Sequence, residues 1–351
     1  MKRAIALAKR GVGTTHPNPR VGAVIVSEGI KVGEGWHERA GDLHAEPIAI
    51  REAGSHARGA TLYVTLEPCA ERGKTPACTD AILRAGIWRV VYASSDPNPK
   101  MAGGGKLLEA HNVEVLGGVL REEADKLNAP FFHYIHTGRP YVIGKGAISL
   151  DGKLATHHHD SKWISGEQSR KHAHRLRAEV DAILIGAGTL EHDNPSLTVR
   201  EAPLKGKPPM RVVIAMDTPT FFPDCNLLNS DAPSRMYVRV INKETAKWRA
   251  AGMSIGRAPN LITILKHLAS EGHISLLLEG GGGLHASFFE AQLTSELVLY
   301  QAPIVIGGSN AVNLWHGRGV DQVRRALRIE DIERRKLGVD QLIRGKVIYP
   351  E

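Results

Sequence analysis

Cysteine is scarce in this chain: three residues in 351, at positions 69, 78 and 225. So sparse a set excludes a disulfide framework and points to a reducing compartment, the cytoplasm, with Cys225 a plain reduced thiol. Aromatics are also few, 5% of the residues, and they do not interleave with the 45 lysines and arginines. The formal charge of +8 is therefore read as serving small phosphorylated molecules rather than a nucleic acid. No apolar run approaches the ~20 residues of a membrane span. The opening residues, MKRAIALAKRG, are too short and too evenly basic for a signal peptide and read as a helix. What remains, 42% hydrophobic and 23% charged over a length of about two ordinary domains, is the composition of a soluble protein with sizeable cores.

The reactive side chains concentrate between His44 and Cys78. HAE stands at residues 44–46 and PCAERGKTPAC at residues 68–78. One imidazole and two thiols, His44, Cys69 and Cys78, can hold Zn²⁺ with three protein ligands and leave the fourth tetrahedral position to water. The metal lowers the pKa of that water toward neutrality. Glu46, two residues past the histidine, is close enough to shuttle a proton without ligating the ion. These residue types form the inventory of hydrolytic deaminases of cytosine- and adenine-type rings. That signature has two residues between its cysteines and here there are eight, so the match is of type rather than of spacing. A structural zinc site would require a fourth protein ligand; Glu71, Asp80 and His56 are the nearest candidates, and none has finger-like spacing.

Along the chain, residues 2–10 read as a helix, followed by a Pro-rich loop that fixes Asn18 between two prolines at the mouth of a strand from Val21 to Val26. Such an asparagine suits a ring amide or carbonyl, or simply a turn. Strands are predicted at 30–36, 61–66, 90–93 and 113–116, with helices from His44 to Ala53, from Cys78 to Arg84, and from Leu120 to Ile135. Strand–helix alternation implies an α/β fold with a mostly parallel sheet. HTGRP then marks a boundary, giving domains 1–138 and 139–351. The second restarts the pattern, with strands at 141–149, 180–186, 211–216, 236–240, 274–278 and 296–303 and a long helix over 167–177. A Ser-Lys-Trp strand start is placed at 161–163, and the His157-His158-His159 run before it reads as a solvated loop.

A second group of polar residues gathers at the strand ends of this half. Gly280–Gly283 follow a strand and precede an apolar helix, so the backbone can approach a phosphate at a helix N-terminus. Trp163 offers a flat face, Thr189, Asp193 and Thr218 offer hydrogen-bonding tips, and Arg177 and Arg200 are forked donors suited to a substrate phosphate.

Taken together, HPNPRVGAVIV, HAE, VTLEPC with GKTPAC, DPNP, RPYV, SLDGKLA, SKWI, DNPSLTVR and EGGGGLHASF resemble, in order and over essentially the full length, the bifunctional riboflavin-biosynthesis deaminase–reductase family. The resemblance implies an N-terminal α/β/α sandwich similar to cytidine deaminases and a C-terminal α/β domain similar to dihydrofolate reductase. It implies zinc-dependent deamination of a diaminopyrimidinone ribosylamine 5′-phosphate, then NADPH-dependent reduction of the product's ribosyl chain. Zinc falls to His44, Cys69 and Cys78, with Glu46 as the proton shuttle. Reductase substrate contacts fall on Ser161, Arg177, Leu197, Arg200 and Glu279. NADPH contacts fall on Ala147, Trp163, Thr189, Asp193, Thr218 and Gly281, Gly282 and Gly283. The partner is a small phosphorylated pyrimidine, with no nucleic acid and no membrane, and the family tends to form a homodimer through the reductase half.

Two positions depart from the family's pattern. Ile48 stands where the family has a second histidine after the HAE glutamate, and Glu71 stands where it has a histidine after the first zinc cysteine. An acid there would repel an anionic substrate. The expectation is weaker deamination, or action on a related pyrimidine or pterin-like ring, beside an ordinary reductase. A nucleic-acid-editing deaminase is disfavoured by the reductase-like half and the few aromatics.

Overall fold

The computed structural model describes residues 1–73, 76–229 and 232–350. The chain divides into two compact units, Met1–Arg139 and Pro140–Glu351.

In the first unit, alternation along the strands decides which layer each side chain joins. Val24 points to one face, where it meets Ala4 and Leu7 of the helix Lys2–Ala8. Ala23 and Ile25 point to the other, where they pack with Ala45, Ala49 and Ala53 of the helix Ala45–Ala53 and with Ile82 of the helix Cys78–Ala85. Helices thus cover both faces of one sheet, an α/β/α sandwich. Among the described residues the sheet runs Ile30–Trp36, Gly22–Ser27, Thr61–Leu66, Arg89–Ser94, Glu114–Leu116. Its first two pairings are antiparallel and its last two parallel. The expected mostly parallel sheet is therefore mixed here, because a tight turn at residues 28–29 returns the chain as a hairpin before any helix intervenes. The expected long helix over 120–135 is two, Arg121–Leu127 and Ala129–Thr137, interrupted at Asn128. Pro130 fits the break, since it lacks the N–H that a continuous helix would need to bond the Lys126 carbonyl, and it stands in the first turn of the second helix, where none is needed.

The packing that sets the first site is built from small residues. A Cβ on Gly33 would lie 2.3 Å from the Ala49 carbonyl oxygen, and one on Gly35 would lie 2.6 Å from that of Ala45. With alanines at 45, 49 and 53 facing them, the helix settles directly on the strand, and its first turn carries His44 and Glu46 to the sheet's edge.

In the second unit the central strands are near-continuous apolar runs, as parallel strands buried on both faces require. Ile183, Val213, Met236 and Leu277 enter one core, while Leu184, Val212, Tyr237 and Leu276 enter the opposite one. The helix Glu167–Glu179 lies on the first side, and the helices Leu261–Ser270 and Gly282–Glu290 on the second. The described sheet has nine strands, in the order Ser254–Arg257, Ser234–Val238, Met210–Ala215, Ala182–Gly186, Ser275–Leu278, Tyr141–Ile148, Glu296–Gln301, Asp340–Ile348, Arg328–Leu337. The first seven are mutually parallel and the final two form an antiparallel hairpin. Sequence reading assigned nothing to that hairpin, because its outer strand, RIEDIERRKL, is charged almost throughout and shows little alternation. Residues 162–165 form turns and bends rather than the expected strand start; His157, His158 and His159 are exposed, and His159 also lines a cleft beside His192. No helix among the described residues is long and apolar enough to cross a membrane.

Candidate active sites

His44 is the N-cap of the helix Ala45–Ala53, Cys69 follows the strand Thr61–Leu66, and Cys78 is the first residue of the helix Cys78–Ala85. Three elements distant in sequence therefore end at one place. His44 Nδ1 lies 3.1 Å from Cys78 Sγ and 3.8 Å from Cys69 Sγ, and the three ligand atoms all fall within 4.8 Å of one another. Zinc bonds of ~2.0 Å to nitrogen and ~2.3 Å to sulfur imply ligand–ligand distances of about 3.5–3.8 Å in a tetrahedron, so little movement closes the set on an ion. One imidazole and two sulfurs suit zinc, and among the described residues no fourth His, Cys, Asp or Glu joins the group. That leaves the open corner of a catalytic site rather than the closed shell of a structural one.

The Cys78 amide donates to Cys69 Sγ at 3.3 Å. The Cys78 thiol, His44 and that amide together hold the Cys69 thiol well below its ordinary range, at about 4, against the effect of burial. Glu46 is 3% exposed, and burial pushes its carboxyl up. Among the described residues its Oε2 has no hydrogen-bond partner. A cavity of about 260 Å³ reaches these groups, lined by His44, Glu46 and Cys69 together with Asn18. Cys78 lies wholly beneath it, 0% exposed. Asn18 Nδ2 donates to His37 Nε2 at 3.1 Å, and His37 Nδ1 donates in turn to the Leu43 carbonyl at 3.0 Å. This relay fixes which way the Asn18 amide faces.

The second unit holds a cleft of about 800 Å³ at the ends of its parallel strands. Of the residues singled out from sequence, Ala147, Ser161, Trp163, Thr189, Asp193, Arg177, Arg200, Glu279 and Gly281 to Gly283 line it. Thr218 and Leu197 do not; Leu197 is 4% exposed and belongs to the core. Trp163 is 70% exposed with the Arg170 guanidinium 4.8 Å from its ring centroid, a stacked cation that braces the indole. The glycines divide their work. A Cβ on Gly282 would lie 2.2 Å from the Asn313 carbonyl oxygen, so that position serves backbone packing. Gly283 has nothing within 4 Å and Gly281 only Thr189 Oγ1 at 3.7 Å, which leaves open backbone at the start of the helix Gly282–Glu290.

Glu279 anchors the floor. Arg177 grips it with both arms, Nε to Oε1 at 2.6 Å and Nη2 to Oε2 at 2.9 Å, while Nη1 donates to the Thr198 carbonyl at 3.1 Å. Lys145 Nζ approaches Oε2 at 3.4 Å. Burial alone would push the Glu279 carboxyl up; the Arg177 and Lys145 charges and their hydrogen bonds outweigh it and hold the group well below the usual carboxylate range. The Arg177 fork, expected to meet a phosphate, is occupied by this carboxylate instead.

Comparison with known proteins agrees with both halves. Residues 1–94 match the model of the cytidine and deoxycytidylate deaminase zinc-binding region, and residues 140–343 match that of the RibD C-terminal domain. The riboflavin biosynthesis protein RibD of Aquifex aeolicus (strain VF5) is 42% identical over 98% of this chain and 96% of its own length. That of Bacillus amyloliquefaciens is 43% identical, over 97% and 93%. A crystal structure from Thermotoga maritima, titled a diaminohydroxyphosphoribosylaminopyrimidine deaminase/5-amino-6-(5-phosphoribosylamino)uracil reductase, superposes with a TM-score of 0.88 at 34% identity, covering 99% of this chain and 97% of that one. The chain belongs to the RibD family.

A member of the RibD family is a bifunctional deaminase and reductase, and the His44, Cys69 and Cys78 triad is its zinc-binding group. The two departures from the family's pattern stand outside the lining of this cavity. Neither Ile48 nor Glu71 lines the cavity over the triad; Ile48 backs onto Gly35 and Glu71 is exposed. Lys74 and Thr75, part of the same GKTPAC string, lie outside the described residues.

Sequence reading missed several lining residues. In the first unit these include His37, Glu67, Asp96 and Asn98. Asp96 is held by burial and the neighbouring Glu67 charge at about 6. DPNP at a strand end was the available signal for two of them. In the second unit Lys145, Arg170, His174 and His316 were missed. Lys145 shares its face of the strand with Ile143 and Ala147, toward the helix Glu167–Glu179, and a lone lysine in so apolar a strand was the available signal.

Proposed function

We propose that this chain catalyses two consecutive steps of riboflavin biosynthesis. Residues 1–138 hydrolyse the ring amine of 2,5-diamino-6-(5-phosphoribosylamino)pyrimidin-4(3H)-one, and residues 139–351 reduce the ribosyl chain of the resulting 5-amino-6-(5-phosphoribosylamino)uracil with NADPH. The convergence of His44, Cys69 and Cys78 beside a buried Glu46 carries this reading for the first step. When bound there, zinc lowers the pKa of a water and so supplies a nucleophile at neutral pH. Glu46, dry and with one oxygen unpartnered, takes that proton and returns it to the departing amine. Asn18, its amide fixed by His37, hydrogen-bonds the ring's polar edge.

For the second step, NADPH when bound supplies hydride. Trp163 packs against the cofactor, Ala147, Thr189 and Asp193 contact it, and the open backbone at Gly283 receives its phosphates at a helix N-terminus. Ser161 and Arg200 contact the substrate, with Glu279 presented by Arg177 and Lys145. We further read the chain as a cytoplasmic homodimer formed through its reductase half, with no nucleic-acid partner. The test is purified protein given the diaminopyrimidinone phosphate. Ammonia release without NADPH, then NADPH oxidation on its addition, is expected; the absence of either event sinks the reading.

A further inference from the structure

His174 lies on the helix Glu167–Glu179 three residues before Arg177, on the same helical face. It is 7% exposed, yet it lines the cleft beside Arg177, Arg200 and Glu279. Its Nδ1 accepts the Arg200 backbone N–H at 3.2 Å. A ring nitrogen that accepts an amide proton carries none itself, so in the neutral ring the proton sits on Nε2. Burial, together with the positive Arg177 and Arg200, keeps the ring neutral; Glu201 and Glu279 oppose this and are outweighed. With the Arg177 fork closed on Glu279 and Thr198, that guanidinium is not free to meet a substrate oxygen.

We propose that His174 is a substrate-binding residue whose Nε2–H donates a hydrogen bond to an oxygen of the phosphoribosyl chain in this cleft. The inference rests on reading the cleft as the reductase site. One ring joins two tasks: Nδ1 anchors the segment that carries Arg200, and Nε2 meets the ligand that Arg200 also meets.

Two substitutions separate the tasks. His174→Asn sets a carbonyl oxygen near the Nδ1 position, keeping an acceptor for the Arg200 amide and removing the far donor. His174→Gln reaches to the Nε2 position with an amide N–H. In the full-length chain, His174→Asn is expected to lower kcat/KM for the phosphorylated substrate at least about tenfold, the scale of one lost hydrogen bond in a shielded site. KM for NADPH and the thermal midpoint should stay unchanged, and His174→Gln should recover most of the loss. Repeating the comparison with dephosphorylated substrate identifies the acceptor. A defect that vanishes assigns the phosphate, and one that persists assigns a ribosyl hydroxyl. Equal activity in His174→Asn and wild type, or equal losses in the Asn and Gln variants, overturns the proposal. Wild-type protein that oxidises no NADPH with this substrate removes the reductase reading itself.

Discussion

Replacing Arg177 by methionine probes the ion-pair network that shapes the second cleft. The Glu279 side chain is 5% exposed, Arg177 supplies two of its hydrogen bonds, and Lys145 alone remains when the guanidinium is gone. Removing one partner of a buried pair costs ~3–5 kcal/mol, because the surviving charge stays dehydrated. With Lys145 at 3.4 Å still giving some compensation, the lower end applies, about 3 kcal/mol. In a unit of this size that lowers the unfolding midpoint by roughly 6–12 °C. The sign with pH is informative. In the native protein the Glu279 carboxyl lies below its ordinary value, so its contribution is present above that value and is lost as pH falls through the lowered one. In the variant, burial prevails and the carboxyl rises above its ordinary value, so the folded state takes up a proton that the unfolded state does not. The gap between variant and wild type should therefore narrow between pH 7.5 and pH 5.5. Arg177→Met/Glu279→Gln should recover much of the loss at pH 7.5, since no bare charge remains. Thermal unfolding of the full chain at both pH values measures all three effects. A single variant within 1 kcal/mol of wild type, or a gap that widens on acidification, would show that Glu279 is adequately hydrated without Arg177 and refute the reasoning.

Three further outcomes are expected. His285 is wholly buried beside Lys145, and burial, aided by the Lys145 charge and opposed by Glu279 and a backbone contact at Lys145, takes it from 6.5 down to about 4. The unfolded chain thus binds this proton first, and stability present above pH 6.5 should fall by about 3 kcal/mol as pH drops toward 4, a slope that His285→Leu flattens in denaturant titrations across that window. Glu46→Gln should lower the rate of ammonia release by ~10²–10⁴-fold while zinc stoichiometry by metal analysis stays at one per chain; undiminished turnover would deny the carboxylate its proton-transfer role. Stripping the metal with a chelator should abolish ammonia release and leave NADPH oxidation with pre-deaminated substrate intact, which parallel assays on one sample distinguish.

Residue chemistry alone was enough to pick out the metal-binding triad. A histidine and two cysteines near helix starts have few other uses in a chain with three cysteines, and the alternation of Thr61–Leu66 or the apolar run at Ser275–Leu278 depends only on local pattern. Folding was required for whatever depends on a neighbour distant in sequence. That Arg177 closes on Glu279, 102 residues away, rather than on a phosphate follows from two strand and helix ends meeting in space. That Ile48 and Glu71 stay out of the cavity follows from how Gly33 and Gly35 seat one helix and where the loop after Cys69 runs. Short-range pattern reports which face of an element is apolar; it carries no information about which polar group stands opposite, because that pairing is set by packing between elements.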